Sequence, residues 1–100
     1  MVFGIFEDDG QTGYLYVYEP KGSGISRHVH LYDRSPNLEI GAEDVKVVWS
    51  DDCSKVGVSI LGKMHGIIDI ATGREGRVWL ESPESPSISD DEWLMGFVLP

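Results

Sequence analysis

The sequence predicts a mainly β protein forming a single domain over residues 1–100, built as an antiparallel sheet or β-sandwich-like meander with a short C-terminal helix. Three observations carry this reading. Tyr14, Tyr16 and Tyr18 alternate with Leu15 and Val17; successive strand side chains point to opposite faces, so one face is tyrosine and the other apolar. Val45, Val47 and Trp49 share a face, as do Val56, Val58 and Ile60, and Ser50-Asp51-Asp52-Cys53-Ser54 between them reads as a hairpin loop. The remaining apolar runs are short and bounded by Gly, Asp or Pro, the punctuation of strands and turns.

Taken in order, Val2 to Phe6 and Gly13 to Glu19 flank an acidic turn and form the first expected hairpin. Pro20-Lys21-Gly22-Ser23-Gly24 breaks the chain. Ile25 to Asp33 then alternates again, with Val29 and Leu31 on one face and His28, His30 and Tyr32 on the other. Arg34-Ser35-Pro36-Asn37 is a turn. After the Val45 to Ile60 pair, Ile67 to Ile70 is expected as a strand ending at Ala71-Thr72-Gly73, and Arg77 to Leu80 as another ending at the proline-rich connector Ser82-Pro83-Glu84-Ser85-Pro86-Ser87. Ser89-Asp90-Asp91-Glu92 has the capping spacing that satisfies orphan amides at a helix start, which predicts a helix over Trp93 to Leu99. The stretch from Val45 to Gly73 also resembles one blade of a β-propeller. A propeller repeats its blade every 40 to 45 residues or so, and the first half holds no second copy, so the reading is a meander.

A chain of 100 residues supports one core, to which every strand must contribute. Its hydrophobic fraction of 41% and charged fraction of 25% are those of a soluble globular protein, not of an acidic disordered tract. The net charge of -9 favours a basic partner and works against nucleic acid, whose phosphates it repels. No apolar run approaches the ~20 residues of a membrane-spanning helix. No charged start leads into an apolar stretch and cleavage site either, so a cytoplasmic protein is the expectation. Cys53 is the single cysteine and has no cation beside it to stabilise a thiolate, so it reads as an incidental turn residue.

Catalytic signatures are absent: there is no Walker-type phosphate loop, no Gly-x-Ser-x-Gly elbow and no Cys-x-x-Cys pair. Adjacent acids such as Glu43-Asp44 and Asp90-Asp91 point in different directions and do not make an acid/base pair. His28 and His30 lie two apart in an expected strand and could act with His65 as zinc ligands; a His-x-His pair also arises on any polar strand face. Glu7-Asp8-Asp9-Gly10 lacks the spaced oxygen ligands and distant glutamate of a calcium loop, and reads as a solvated turn. The tyrosine stripe has two readings. It either covers a second small core or forms a recognition surface, since tyrosine is enriched at interface hot spots.

The run Phe6-Glu7-Asp8-Asp9-Gly10-Gln11-Thr12-Gly13-Tyr14-Leu15-Tyr16, the later His30-Leu31-Tyr32-Asp33, and Val45-Lys46-Val47-Val48-Trp49-Ser50 with Lys55-Val56 together resemble a family of small bacterial proteins of unknown function. The resemblance covers about the first seventy residues, and Asp-Asp-Gly-x-Thr-Gly-Tyr is its most specific element. The same features are similar to immunity proteins of contact-dependent growth inhibition systems, which bind and block a toxin domain delivered by a neighbouring bacterium. That likeness implies a protein that binds rather than catalyses and supplies no catalytic residues to carry over; no cofactor and no metal are expected. The expected partner is a basic toxin domain, and a nuclease, whose polyanionic substrate requires a positive cleft, is the concrete case. The residues expected to contact it are Glu7, Asp8, Asp9, Tyr14, Tyr16, Tyr18, Asp33, Asp51 and Asp52. The alternative is a small metal-dependent or ligand-binding domain centred on His28, His30 and His65.

Overall fold

The computed structural model describes residues 2–22 and 24–98. Strands β1 (Phe3–Asp8), β2 (Thr12–Glu19) and β3 (Gly24–Asp33) pair in that order as one antiparallel sheet. Strands β4 (Val45–Trp49), β5 (Lys55–Ile60), β6 (Lys63–Asp69) and β7 (Glu75–Arg77) form the second as an antiparallel meander, and α1 (Asp91–Leu94) follows. The mainly β expectation, with a short helix near the C-terminus, is what the chain adopts. Ser23, within the expected break, and Leu99, at the end of the expected helix, lie outside the described residues.

The alternation in the sequence sets which faces meet. Leu15 and Val17 of β2 and Val29 and Leu31 of β3 pack against Val56, Val58 and Ile60 of β5 and Ile68 of β6, all essentially without solvent exposure. Burial of each such side chain contributes about 1.5–3 kcal/mol, so this layer between the sheets is the main source of stability. Between the sheets, β1 packs on β4 and β5 and β3 on β6 and β7. A Cβ on Gly4 would meet the side chains of Val56 and Val47, so glycine is what lets β1 settle onto the second sheet.

Tyr32 departs from expectation. Strict alternation puts it beside His28 and His30, yet it is fully buried in the core. The pairing explains the switch: Tyr14 opposes His30 but Gly13 opposes Tyr32, so Leu31 is an extra residue in β3. Such a bulge moves every later side chain to the opposite face. The space for the inward ring comes from Gly13, where a Cβ would overlap Tyr32. Asp8 accepts a hydrogen bond from the Tyr32 hydroxyl and ion-pairs with Arg34, which ties the β1–β2 turn to the end of β3.

The second sheet also differs in detail. Strand β6 starts at Lys63, not Ile67, because the Leu61-Gly62 turn reverses the chain directly after β5. The strand expected over Arg77 to Leu80 instead ends at Arg77, where the ladder with β6 reaches the irregularity at His65. Val78 donates to the His65 carbonyl at 3.0 Å, and Leu80 to the carbonyl of the bulged Leu31 at 3.2 Å. The helix is Asp91–Leu94, not Trp93 to Leu99, and Asp90 rather than Ser89 caps it, accepting from the Glu92 amide at 2.8 Å. Gly96 in the left-handed region, φ 88, turns the chain away after it.

The C-terminal segment covers the outer face of the second sheet. Ile88, Trp93, Leu94 and Phe97 pack on Met64 and Ile67 as a second apolar cluster. Lys55 donates to the Glu92 and Trp93 carbonyls at 3.2 Å, and the Arg74 guanidinium lies 5.2 Å from the Trp93 ring centroid. The second sheet is therefore covered on both faces, whereas among the described residues the first has a packed layer on its inner face only.

Candidate functional site

The uncovered outer face of the first sheet carries three rows of side chains set by register. Phe3, Tyr18 and Ile25 form one, Ile5, Tyr16 and His28 the next, and Glu7, Tyr14 and His30 the third. Phe3 is 43% exposed, Ile5 41%, Tyr18 38% and Ile25 57%. A scattered exposed apolar residue is ordinary, but four on one sheet face together with two further tyrosines form a patch of the kind that marks an interaction site.

At one end the face is ordered by stacked rings. Tyr14 and Tyr16 stack at 6.1 Å with 8° between planes, Tyr14 stacks on His30 at 4.9 Å, and His30 meets the Trp79 ring edge-on at 4.9 Å. Arg77 holds the far end. Its guanidinium lies 5.3 Å from the Trp79 centroid and donates to the His30 carbonyl at 3.1 Å. His30 Nε2 lies 2.8 Å from Asp33 and 3.2 Å from the Tyr32 carbonyl, both acceptors, so Nε2 carries the proton. The Tyr16 hydroxyl donates to Glu7 Oε1 at 2.9 Å, and that bond raises the Tyr16 phenol above its usual range. Rings locked in this way lose little entropy on binding, which suits a recognition surface.

The expected contact residues divide among three places. Tyr14, Tyr16, Tyr18 and Glu7 lie on the open face, with Asp33 at its edge beside His30. Asp8 and Asp9 lie at the β1–β2 turn, where both are engaged inside the molecule. Asp8 turns towards Tyr32 and Arg34, and Asp9 accepts from the Gln11 and Thr12 amides at 2.9 and 2.8 Å. Asp51 and Asp52 belong to the β4–β5 hairpin of the other sheet, where Asp52 accepts from Ser50, from the Ser54 amide and from the Ser54 hydroxyl. His65 is likewise remote in role. It is a buried bulge residue, since Val58 opposes Gly66 and Ser59 opposes Met64. Its Nδ1 donates to the Val78 carbonyl at 3.2 Å, and burial pushes its pKa down. Among the described residues no three His, Cys, Asp or Glu side chains group as metal ligands.

Phe3, Ile5, Ile25, Arg77 and Trp79 belong to the face but were not among the expected contacts. The odd-numbered apolar residues of the first strand were visible in the sequence. Nothing in it showed that their side of the sheet lacks a covering layer.

The turn carboxylates make stability depend on acid pH. Burial pulls the Asp8 carboxyl up, but hydrogen bonds from Tyr32, Arg34 and Gly10 outweigh it and hold it below the usual carboxylate range. Asp9 is lowered by the Thr12 and Gln11 amides. Asp52 is lowered to about 2 by the Ser54 amide, then by the Ser54 and Ser50 hydroxyls. For a carboxyl depressed on folding, the stabilising contribution is complete above the unfolded pKa and is lost as pH falls through the folded one. The thermal midpoint is therefore expected to hold above about pH 4 and to fall between about pH 4 and pH 2. Melts across that range check it, and a midpoint that stays level there removes these turns from the account.

No helix among the described residues is long and apolar enough to cross a membrane. Residues 2–95 match the model of a family described as an uncharacterized protein conserved in bacteria (DUF2251). The match runs through the connector and α1, beyond the seventy or so residues that carried the sequence resemblance. No curated protein and no solved structure matches the chain.

Proposed function

We propose, from the premise that the chain belongs to this family of uncharacterized bacterial proteins, that it is an immunity protein: it binds a basic bacterial toxin domain, such as a nuclease, and occludes the active site. The observation that carries the reading is the uncovered aromatic face, with Tyr14 and Tyr16 stacked and Phe3, Ile5, Tyr18 and Ile25 exposed around them. Such a surface supplies the aromatic anchors of an interface core. The net charge of -9 supports a basic partner, because it accelerates encounter with a positive cleft even where individual carboxylates are engaged in turns.

The test is co-expression with the toxin domain encoded next to the chain's own reading frame. Growth should be restored, and a one-to-one complex should form whose association slows as salt rises. A neighbouring toxin that kills in the presence of the chain and does not bind it refutes the reading.

A further inference from the structure

Strand β1 is the edge of the first sheet, and its free side is unusual. Among the described residues, the main chain of residues 3–7 makes no hydrogen bond apart from its pairing with β2. Natural edges are blunted by proline, lysine, bulges or a covering segment. The opposite edge of this sheet is covered in that way, because Leu80 and Arg77 bond to the Leu31 and His30 carbonyls. β1 contains neither Pro nor Lys, and its six residues pair with β2 in unbroken register.

The seam below this edge is shaped as well. β1 runs antiparallel to β4 across the sandwich, and Gly4 sits against Val47 and Val56. On either side of that close approach lie two clefts. One, of about 190 Å³, is lined by Val2, Trp49 and Cys53 and is mostly apolar. The other, of about 380 Å³, lies among Phe6, Asp8, Tyr32, Arg34 and Val45. Val2 and Phe6 are four residues apart, a separation of roughly 13 Å in a strand, so side chains i and i+4 of an added strand would reach both clefts.

Resting on the immunity reading, we propose that the partner binds by strand addition: an extended, basic segment of the toxin domain pairs with β1. Its inward side chains enter the two clefts, and its outward ones extend the aromatic face beyond Phe3 and Ile5. Main-chain pairing supplies affinity in this mode, and pockets for alternate side chains supply selectivity. A second copy of the chain is the other candidate for the edge. Charge argues against it, since each copy carries -9, and favours a cationic strand.

The test is amide hydrogen exchange on the chain alone, with the neighbouring toxin domain, and with a nine-residue peptide alternating Val and Arg. A control peptide of equal charge carries proline in place of each Val and so loses the amide donor of every second residue. The toxin and the Val-Arg peptide should slow exchange of alternate amides within residues 3–7 at least tenfold, and the proline peptide should bind at least tenfold more weakly. Equal binding of the two peptides overturns strand addition in favour of charge alone. A toxin complex that leaves the β1 amides unchanged overturns it while the immunity reading stands, whereas peptide pairing at β1 without toxin binding removes the immunity reading and leaves the edge as a strand acceptor. Protection that grows with the chain's own concentration, with a dimer in sedimentation, assigns the edge to a second copy and overturns the proposed occupant.

Discussion

Replacing Tyr32 by alanine is expected to destabilise the isolated chain by about 3–5 kcal/mol, the range for removing a buried aromatic ring. The ring has no solvent exposure, lies 6.4 Å from Phe6 between centroids, and fills the space that Gly13 leaves open. Tyr32→Phe keeps the packing and removes the hydroxyl that donates to Asp8. That carboxylate retains Arg34 and the Gly10 amide, so a smaller loss of about 1–2 kcal/mol is expected. Gly13→Ala tests the same contact from the other side by forcing a methyl group into the ring, at a cost of about 1–3 kcal/mol. Urea unfolding of the three variants decides. A Tyr32→Ala variant within about 1 kcal/mol of the parent would return the residue to the open face that strict alternation gives it.

That case also shows what the sequence can reveal. The alternating runs Tyr14 to Tyr18, Val45 to Trp49 and Val56 to Ile60 fix which side chains share a face, and those faces are the ones observed. A bulge has no comparable local signature. One extra residue at Leu31 inverts Tyr32, and another at His65 buries a histidine that sequence reasoning offered as a metal ligand. Both are set by the partner strand and by the segment that uses the freed carbonyls, Val78 for His65 and Leu80 for Leu31. The start of the helix was placed within two residues because capping is local, although Asp90 and Ser89 compete for the same role, whereas its end, expected at Leu99, comes at Leu94.

The acidic residues teach a related lesson about charge and contact. Asp8, Asp9 and Asp52 stood out in the sequence as exposed negative charge, yet Asp9 and Asp52 accept several hydrogen bonds within their own turns, and Asp8 accepts from Tyr32 and Arg34 as well as from Gly10. An Asx turn and a partner-binding carboxylate have the same sequence appearance, because aspartate beside glycine or serine serves both. Their charge still adds to the long-range field, which acts on the rate of encounter more than on the closed interface.

Tyr16→Ala separates the two roles of the aromatic face. Tyr16 sits at the centre of the three rows, between Ile5 and His28, stacked on Tyr14 and bonded to Glu7. The packed layer lies on the opposite side of its strand, with Leu15 and Val17. Its truncation should therefore cost less than about 1 kcal/mol of fold stability, the range for surface substitutions that leave the core intact. Affinity for the proposed toxin partner should fall by ~2 kcal/mol or more, about 30-fold, as for a desolvated aromatic anchor. Asp33→Lys, at the edge of the same face, should act differently: it should slow association and flatten its salt dependence while changing dissociation little, since rim charges work through steering. Thermal melts and binding kinetics on the two variants give the answer together. If Tyr16→Ala lowers stability by about 3 kcal/mol with unchanged affinity in the folded fraction, the ring is a packing element and the open face is not the toxin-binding surface.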